Sequence, residues 1–132
     1  MPSRRIVLAV LAATLSMAST RGFAEAAAPV HFDQQAFDAA QKAGKPILIE
    51  ITAPWCPACK AQAPILGKLR MDPRFKDLQT FTIDFDTEKA LMRKFGAKLQ
   101  STLICFKGAT ETSRTVGETQ PEWIEAELEK AI

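Results

Sequence analysis

A chain of 132 residues, of which 47% are apolar, can build one domain around a single core, and it is neither disordered nor collagen-like. Its 17 basic and 15 acidic residues nearly cancel, so its charge gives no reason to expect a nucleic acid as partner. Three cysteines are too few for a small scaffold held together by disulfides.

The first 24 residues have the three-part pattern of a secretory signal peptide. Two arginines near the start precede an apolar or small stretch over 6–18, and small residues near 18 or 24 suit cleavage. This stretch is shorter than the ~18–20 residues of a membrane span, which favours cleavage over a retained anchor. Cleavage near 24 would leave 14 of the 17 basic residues against 15 acidic ones. We therefore expect an exported protein.

The remaining sequence is predicted to be a mobile linker over 25–31 and one domain over 32–132. Apolar periodicity and turn residues divide this domain into helices and strands. In chain order they predict a helix over 33–43, a strand over 47–53, a helix over 57–70, a short turn or helical piece over 73–78, a strand over 80–84, a helix over 87–95, strands over 102–107 and 112–116, and a helix after 119.

Individual residues refine the predicted helices. The predicted N-caps are Asp33, Thr87 and Thr119. Pro64 lies inside the second helix and should kink it. In the last helix, Trp123, Leu128 and Ile132 are expected to face the core.

The order of the predicted elements determines a fold class. The first two strands are joined through a helix, so they should be parallel with a right-handed crossover. The last two strands form a hairpin and are antiparallel. The prediction is an α/β fold, a three-layer sandwich with a mixed central sheet and helices on both faces.

Cys56 and Cys59 are separated by two residues, where the first strand turns into the second helix. Unpaired N–H groups and the helix dipole favour a thiolate at this position. The thiolate is the nucleophile of disulfide exchange, so we assign Cys56 as an exposed nucleophile and Cys59 as the resolving thiol. A permanent disulfide or a metal clip is the alternative. The direction of electron flow is not determined by these residues.

The surroundings of this pair resemble the thioredoxin superfamily. Trp55 precedes the pair, Lys60 follows it, Glu50 lies six residues upstream, and Pro64 and Gly117 also match the pattern. The resemblance covers about 30–132 and implies a thioredoxin-like fold. It also implies a thiol–disulfide oxidoreductase that acts on cysteine-containing proteins, with the redox-active cysteine pair and no other cofactor.

The lead-in over 37–46 is similar to the periplasmic thioredoxin-like domain of the membrane thiol–disulfide interchange reductase. This resemblance implies a periplasmic or otherwise exported location. It also implies a reductase or an electron relay, and a membrane thiol protein as electron donor.

Ser101 occupies the position where the superfamily has a cis-proline that shapes the docking groove and keeps metals from the thiols. We expect a trans peptide here, since a cis bond before serine costs ~3–4 kcal/mol. The resemblance implies that partners dock against Trp55, Ser101 and Thr102. Without the proline, the two thiols could instead hold copper, zinc or an iron–sulfur cluster, which is our alternative function.

Three residues near the pair have predicted roles. Glu50 lies in an apolar strand, where burial would raise its pKa and allow it to relay a proton with Cys59. Its alternative is an edge position in water. Trp55 would cover the dithiol and contact partners, or else only pack. Lys60 would steady a thiolate, or else be a solvated surface residue.

Other ionisable residues have simpler interpretations. Cys105 is expected to be a buried core thiol, with a regulatory or metal role as the alternative. His31 is the only histidine and is expected at the surface, not in a metal site. An acidic cluster is interpreted as a solvated turn and not a calcium site. Its members are Asp84, Asp86 and Glu88.

Overall fold

The computed structural model describes residue 22 and residues 25–132. Apart from residue 22, the predicted signal peptide therefore lies outside the described residues. No helix in the described part of the chain is both long enough and apolar enough to cross a bilayer.

The domain is a five-stranded mixed sheet with helices on both faces, so the predicted three-layer sandwich is confirmed. The strands are β1 (Val30–His31), β2 (Pro46–Thr52), β3 (Gln79–Asp84), β4 (Thr102–Lys107) and β5 (Thr110–Val116). The helices are α1 (Gln34–Lys42), α2 (Pro57–Arg70), α3 (Lys89–Lys94) and α4 (Pro121–Glu129), with a 3₁₀ turn at Pro73–Phe75. The strand order is β1-β3-β2-β4-β5. As predicted, β2 and β3 are parallel and β4 and β5 are antiparallel.

The central strand β2 separates two apolar cores because its side chains alternate between the faces of the sheet. Ile47, Ile49 and Ile51 enter a phenylalanine-rich core with α1 and α3. Leu48 enters the second core, between the sheet and α2 and α4. By the same alternation Glu50 faces α2, which places a carboxyl group beneath the helix that follows Cys56.

The predicted mobile linker is bound to the domain at two places. Val30 and His31 form β1, which pairs with the edge of β3. Ala26 is buried, and its N–H donates to the Arg70 carbonyl oxygen at 2.8 Å. Without β1, the backbone N–H and C=O groups at this edge of β3 would be unpaired, and the short extended segment supplies their hydrogen-bond partners.

The third helix begins later than predicted. Asp33 caps α1 as expected, since its carboxylate accepts the Gln35 N–H at 3.1 Å. For α3, however, the N-cap is Glu88 and not Thr87. The Asp84 carboxylate accepts the Thr87 N–H at 3.1 Å, so this residue belongs to the preceding turn.

The last helix presents a different face to the core from the predicted one. Its N-cap is Gln120 rather than Thr119. Trp123 is 60% exposed on another face of α4. Ile132 lies beyond the end of α4 and is 43% exposed, so both predictions of core packing are wrong. Leu128 is buried as expected, together with Ile124, because residues four apart share one helix face.

Candidate active site

The cysteine pair forms a disulfide at the start of α2, with Cα atoms 5.3 Å apart. Cys56 is the N-cap, and its Sγ accepts the Cys59 N–H at 3.1 Å. Pro57 occupies the next position, where a missing N–H costs the helix nothing. A thiolate on Cys56 would therefore receive an N–H hydrogen bond and the positive end of the helix dipole.

The exposure of the two cysteines differs from the expectation. Cys56 is only 1% exposed in this oxidised form, so the predicted exposed nucleophile is wrong for this state. Its sulfur is folded back over the first helical turn, towards the Cys59 N–H. Cys59 is partly exposed and lines a cavity of about 320 Å³ behind the disulfide.

Glu50 lies at the inner wall of the same cavity and is 8% exposed. Its Oε2 lies 3.1 Å from Nη2 of Arg70. Burial raises the pKa of Glu50 above its ordinary value, and the charge and hydrogen bond of Arg70 act against that rise. The alternative of an edge position with the Glu50 side chain in water is excluded, because β2 is paired with a strand on both sides.

Four residues of α2 form one stripe directed at the sheet and the loop before β4. Their spacing of three, four and four places Cys59, Gln62, Leu66 and Arg70 on one helix face. Gln62 and Arg70 were not identified in the sequence analysis. Each of them lies one helical turn from Leu66, and Leu66 is fully buried. A polar residue at this spacing from an apolar one is the signal that could have found them.

The loop before β4 is fixed by hydrogen bonds instead of a proline. No cis peptide bond occurs in the part of the chain described, which confirms the trans expectation at Ser101. Ser101 has a left-handed backbone with φ +57°. Its N–H donates to the Ile51 carbonyl oxygen at 2.7 Å, and its hydroxyl donates to the Gln100 carbonyl oxygen at 2.6 Å.

Ser101 and Thr102 are both buried, so neither side chain lies open to a partner. The Thr102 hydroxyl donates to the Leu99 carbonyl oxygen at 2.6 Å. The neighbouring apolar residues Leu99 and Val116, by contrast, are about half exposed. Val116 pairs with Thr102 across the β4–β5 ladder, which places it at this end of the sheet.

Trp55 is 53% exposed beside the disulfide. Its Nε1–H donates to Asp86 Oδ2 at 2.9 Å, and its ring meets the Phe85 ring edge-on with centroids 5.9 Å apart. The indole is therefore held in place while much of its surface faces solvent. Lys60 is exposed at the mouth of the cavity.

The remaining candidate residues take structural positions. Cys105 is fully buried, and desolvation raises the pKa of its thiol to about 11. His31 lies at the surface, with Nε2 3.0 Å from Glu88 Oε2. Asp84 accepts turn N–H groups. Among residue 22 and residues 25–132 there is no group of three cysteine, histidine or acidic side chains that could hold a metal ion.

Known proteins are similar to this chain in sequence and in fold. The family model described as Thioredoxin matches residues 28–130. Protein disulfide-isomerase erp38 of Neurospora crassa is 40% identical over 85 residues, which are 63% of this chain and 22% of that protein. Thioredoxin H-type of Brassica campestris is 34% identical over 92 residues, which are 70% of this chain and 72% of that protein. The crystal structure of Trxlp from Edwardsiella tarda EIB202 is 38% identical with a TM-score of 0.74, and the match covers 76% of this chain and 98% of that one.

Proposed function

Because this chain belongs to the thioredoxin family and is a thiol–disulfide oxidoreductase, we propose that it is an exported reductase or electron relay for protein disulfides. The observation that carries the disulfide-exchange activity is the placement of Cys56 as the N-cap of α2, where its sulfur accepts the Cys59 N–H at 3.1 Å. Such a sulfur is stabilised as a thiolate and is ready to attack a disulfide.

The first step forms a mixed disulfide. The reduced Cys56 thiolate attacks one sulfur of the client's disulfide, and the other client sulfur leaves as a thiolate that takes a proton from solvent. One S–S bond breaks and one forms, so the client remains covalently held to Cys56. Cys56 must be uncovered for this attack, since it is almost completely buried in the oxidised form.

The second step releases the client. Glu50 takes the proton of the Cys59 thiol, the resulting thiolate attacks the Cys56 sulfur, and the second client sulfur leaves and is protonated. Two electrons have then passed from the cysteine pair to the client, and Cys56 and Cys59 are again a disulfide. Glu50 is suited to this role because it lines the same cavity as Cys59, and because its raised pKa makes the ionised carboxylate a stronger base.

Clients would dock through exposed apolar side chains around the disulfide. Trp55, Leu99 and Val116 are each about half exposed, whereas the Ser101 and Thr102 side chains are buried and bonded to backbone carbonyl groups. Apolar side chains that lie open around a reactive centre favour an unfolded or loop segment of a protein as substrate.

Export and the electron donor are supported by the sequence. The pattern over 1–24 is that of a cleavable signal peptide, and the lead-in over 37–46 is similar to a periplasmic reductase domain. A reductase in an oxidising compartment needs its disulfide reduced again by a dithiol. We propose a membrane dithiol protein as that donor.

Two cysteine variants test the function directly. Insulin reduction driven by a dithiol should be lost in Cys56→Ser, and Cys59→Ser should accumulate mixed disulfides with client proteins. If Cys56→Ser and not Cys59→Ser accumulated mixed disulfides, Cys59 would be the nucleophile and Cys56 the resolving thiol. Equal reduction by wild type and Cys56→Ser would refute the function, and stoichiometric copper, zinc or iron in the purified protein would favour the metal-binding alternative. The redox potential of the cysteine pair, measured against glutathione, shows whether the protein acts as a reductant or as an oxidant.

A further inference from the structure

Arg70 is the last residue of α2, and its side chain turns back beneath the sheet. This side chain is 12% exposed, which is unusual for arginine. Its Nη2 lies 3.1 Å from Glu50 Oε2, and its Nε donates to the Thr80 hydroxyl oxygen at 3.4 Å. Two strands therefore hold one guanidinium group, which is charged at every accessible pH.

The surroundings of Glu50 leave Arg70 as its ion-pair partner. From α2, the ionisable side chains that line the cavity are Cys59, Lys60 and Arg70, and Arg70 contacts the carboxylate. The other packed elements supply neutral groups. These are Thr80 and Thr82 from β3, Leu103 from β4, which pairs with Glu50, and Pro29 from the N-terminal segment.

We propose that Arg70 is a positioning residue for the exchange reaction, which orients the Glu50 carboxylate and lowers the pH at which it can take the Cys59 proton. Arg70 can have this role only if the cysteine pair exchanges disulfides as proposed above. The proton passes from Cys59 Sγ to a Glu50 oxygen. Arg70 neither gains nor loses a proton, and acts through Glu50 alone.

Two opposing effects act on Glu50, and their balance explains why the cation matters. Burial favours the protonated carboxyl, which cannot accept a proton. A guanidinium in contact favours the carboxylate, by ~1–3 pH units for an opposite charge at such distances. A planar guanidinium can also bond Glu50 and Thr80 at the same time, whereas an ammonium group would keep the charge but lose this fixed geometry.

The test follows the reduced full chain after mixing with Ellman's reagent. Attack by Cys56 releases the first thionitrobenzoate ion, and attack by Cys59 on the mixed disulfide releases the second. In Arg70→Met we expect the pH midpoint of the second release to rise by ~1–3 pH units. Arg70→Lys should give a smaller rise. The matched control is Arg74→Met, which removes an arginine from exposed ion pairs and should leave the midpoint unchanged.

A double variant separates this role from a structural one. In a Glu50→Gln background, Arg70→Met should not move the midpoint any further. Unchanged midpoints in Arg70→Met and Arg70→Lys would overturn the proposal, and Arg70→Lys decides alone if Arg70→Met does not fold. A different result would refute the proposed function itself. That result is a wild-type protein in which Cys59 does not release the second thionitrobenzoate ion.

Discussion

Gln62 joins the loop beside the disulfide to the segment that follows β5. Its Nε2 donates to the Ser101 carbonyl oxygen at 3.2 Å and to the Glu118 carbonyl oxygen at 2.8 Å. The same Ser101 oxygen accepts the Gly117 N–H at 3.0 Å. One buried amide thus holds two backbone segments next to the reactive sulfurs, and does so where the loop has no proline to stiffen it.

Replacement of Gln62 by leucine should loosen this loop. The variant keeps the side-chain volume but leaves the Glu118 carbonyl group without this donor, so we expect a loss of ~1–3 kcal/mol in the free energy of unfolding. Urea titration gives this value, and hydrogen exchange at the Gly117 N–H should become faster. Gln35→Leu, at an exposed position of α1, is the control. Equal stability of the two variants would show that the contact is unimportant.

Proline at position 101 should destabilise this chain, although it is the residue that the superfamily resemblance implies there. Proline requires φ near −65°, whereas Ser101 has φ +57°. Proline also lacks the N–H that donates to the Ile51 carbonyl oxygen at 2.7 Å. We expect Ser101→Pro to lose at least ~2 kcal/mol of unfolding free energy, and Ser101→Ala, which keeps the N–H, to lose less. A Ser101→Pro protein as stable as Ser101→Ala would mean that the loop adopts another conformation.

The stability of the protein should depend on the pH through Glu50. Burial raises the pKa of Glu50 above 4.5, so the folded state binds this proton more tightly than the unfolded chain. The stabilisation is therefore complete below about pH 4.5 and is lost as the pH rises through the pKa of the folded state. Relative to wild type, Glu50→Gln should gain stability as the pH rises.

Urea unfolding over a pH series measures this difference. Gln35→Leu changes no titratable group at an exposed position and should run parallel to wild type at every pH. A Glu50→Gln curve that is also parallel to wild type would contradict the raised pKa.

The two tryptophans provide a matched test of client docking. Both are more than half exposed, but Trp55 lies beside the disulfide and Trp123 lies on α4. In Trp55→Ala, kcat/KM for insulin should fall about tenfold, which corresponds to ~1.4 kcal/mol, while a small disulfide is reduced as before. Trp123→Ala should leave both values unchanged. Equal losses in the two variants would remove Trp55 from the docking surface.

Features that depend on neighbouring residues could be predicted from the sequence. The strand before Cys56, the helix after it and the position of its sulfur at the helix start all follow from local patterns. The burial of Glu50 could also be anticipated, because four isoleucine or leucine residues surround it in the apolar run over 47–51.

Features that depend on packing between distant elements were missed. Arg70 lies 20 residues from Glu50 and Gln62 lies 39 from Ser101, so no local pattern pairs them. The error at Trp123 has a different origin. A helix buries residues at spacings of three and four, which selects Ile124 and Leu128 and places Trp123 on another face.

The most direct measurement is the pH dependence of iodoacetamide alkylation at Cys56 in the reduced protein. Stabilisation by the helix start predicts a midpoint below the ~8.5 of a free cysteine. Cys105 serves as the internal contrast, since burial raises the pKa of its thiol to about 11 and it should stay unmodified at neutral pH. A Cys56 midpoint at or above that of a free cysteine would contradict the mechanism proposed for this protein.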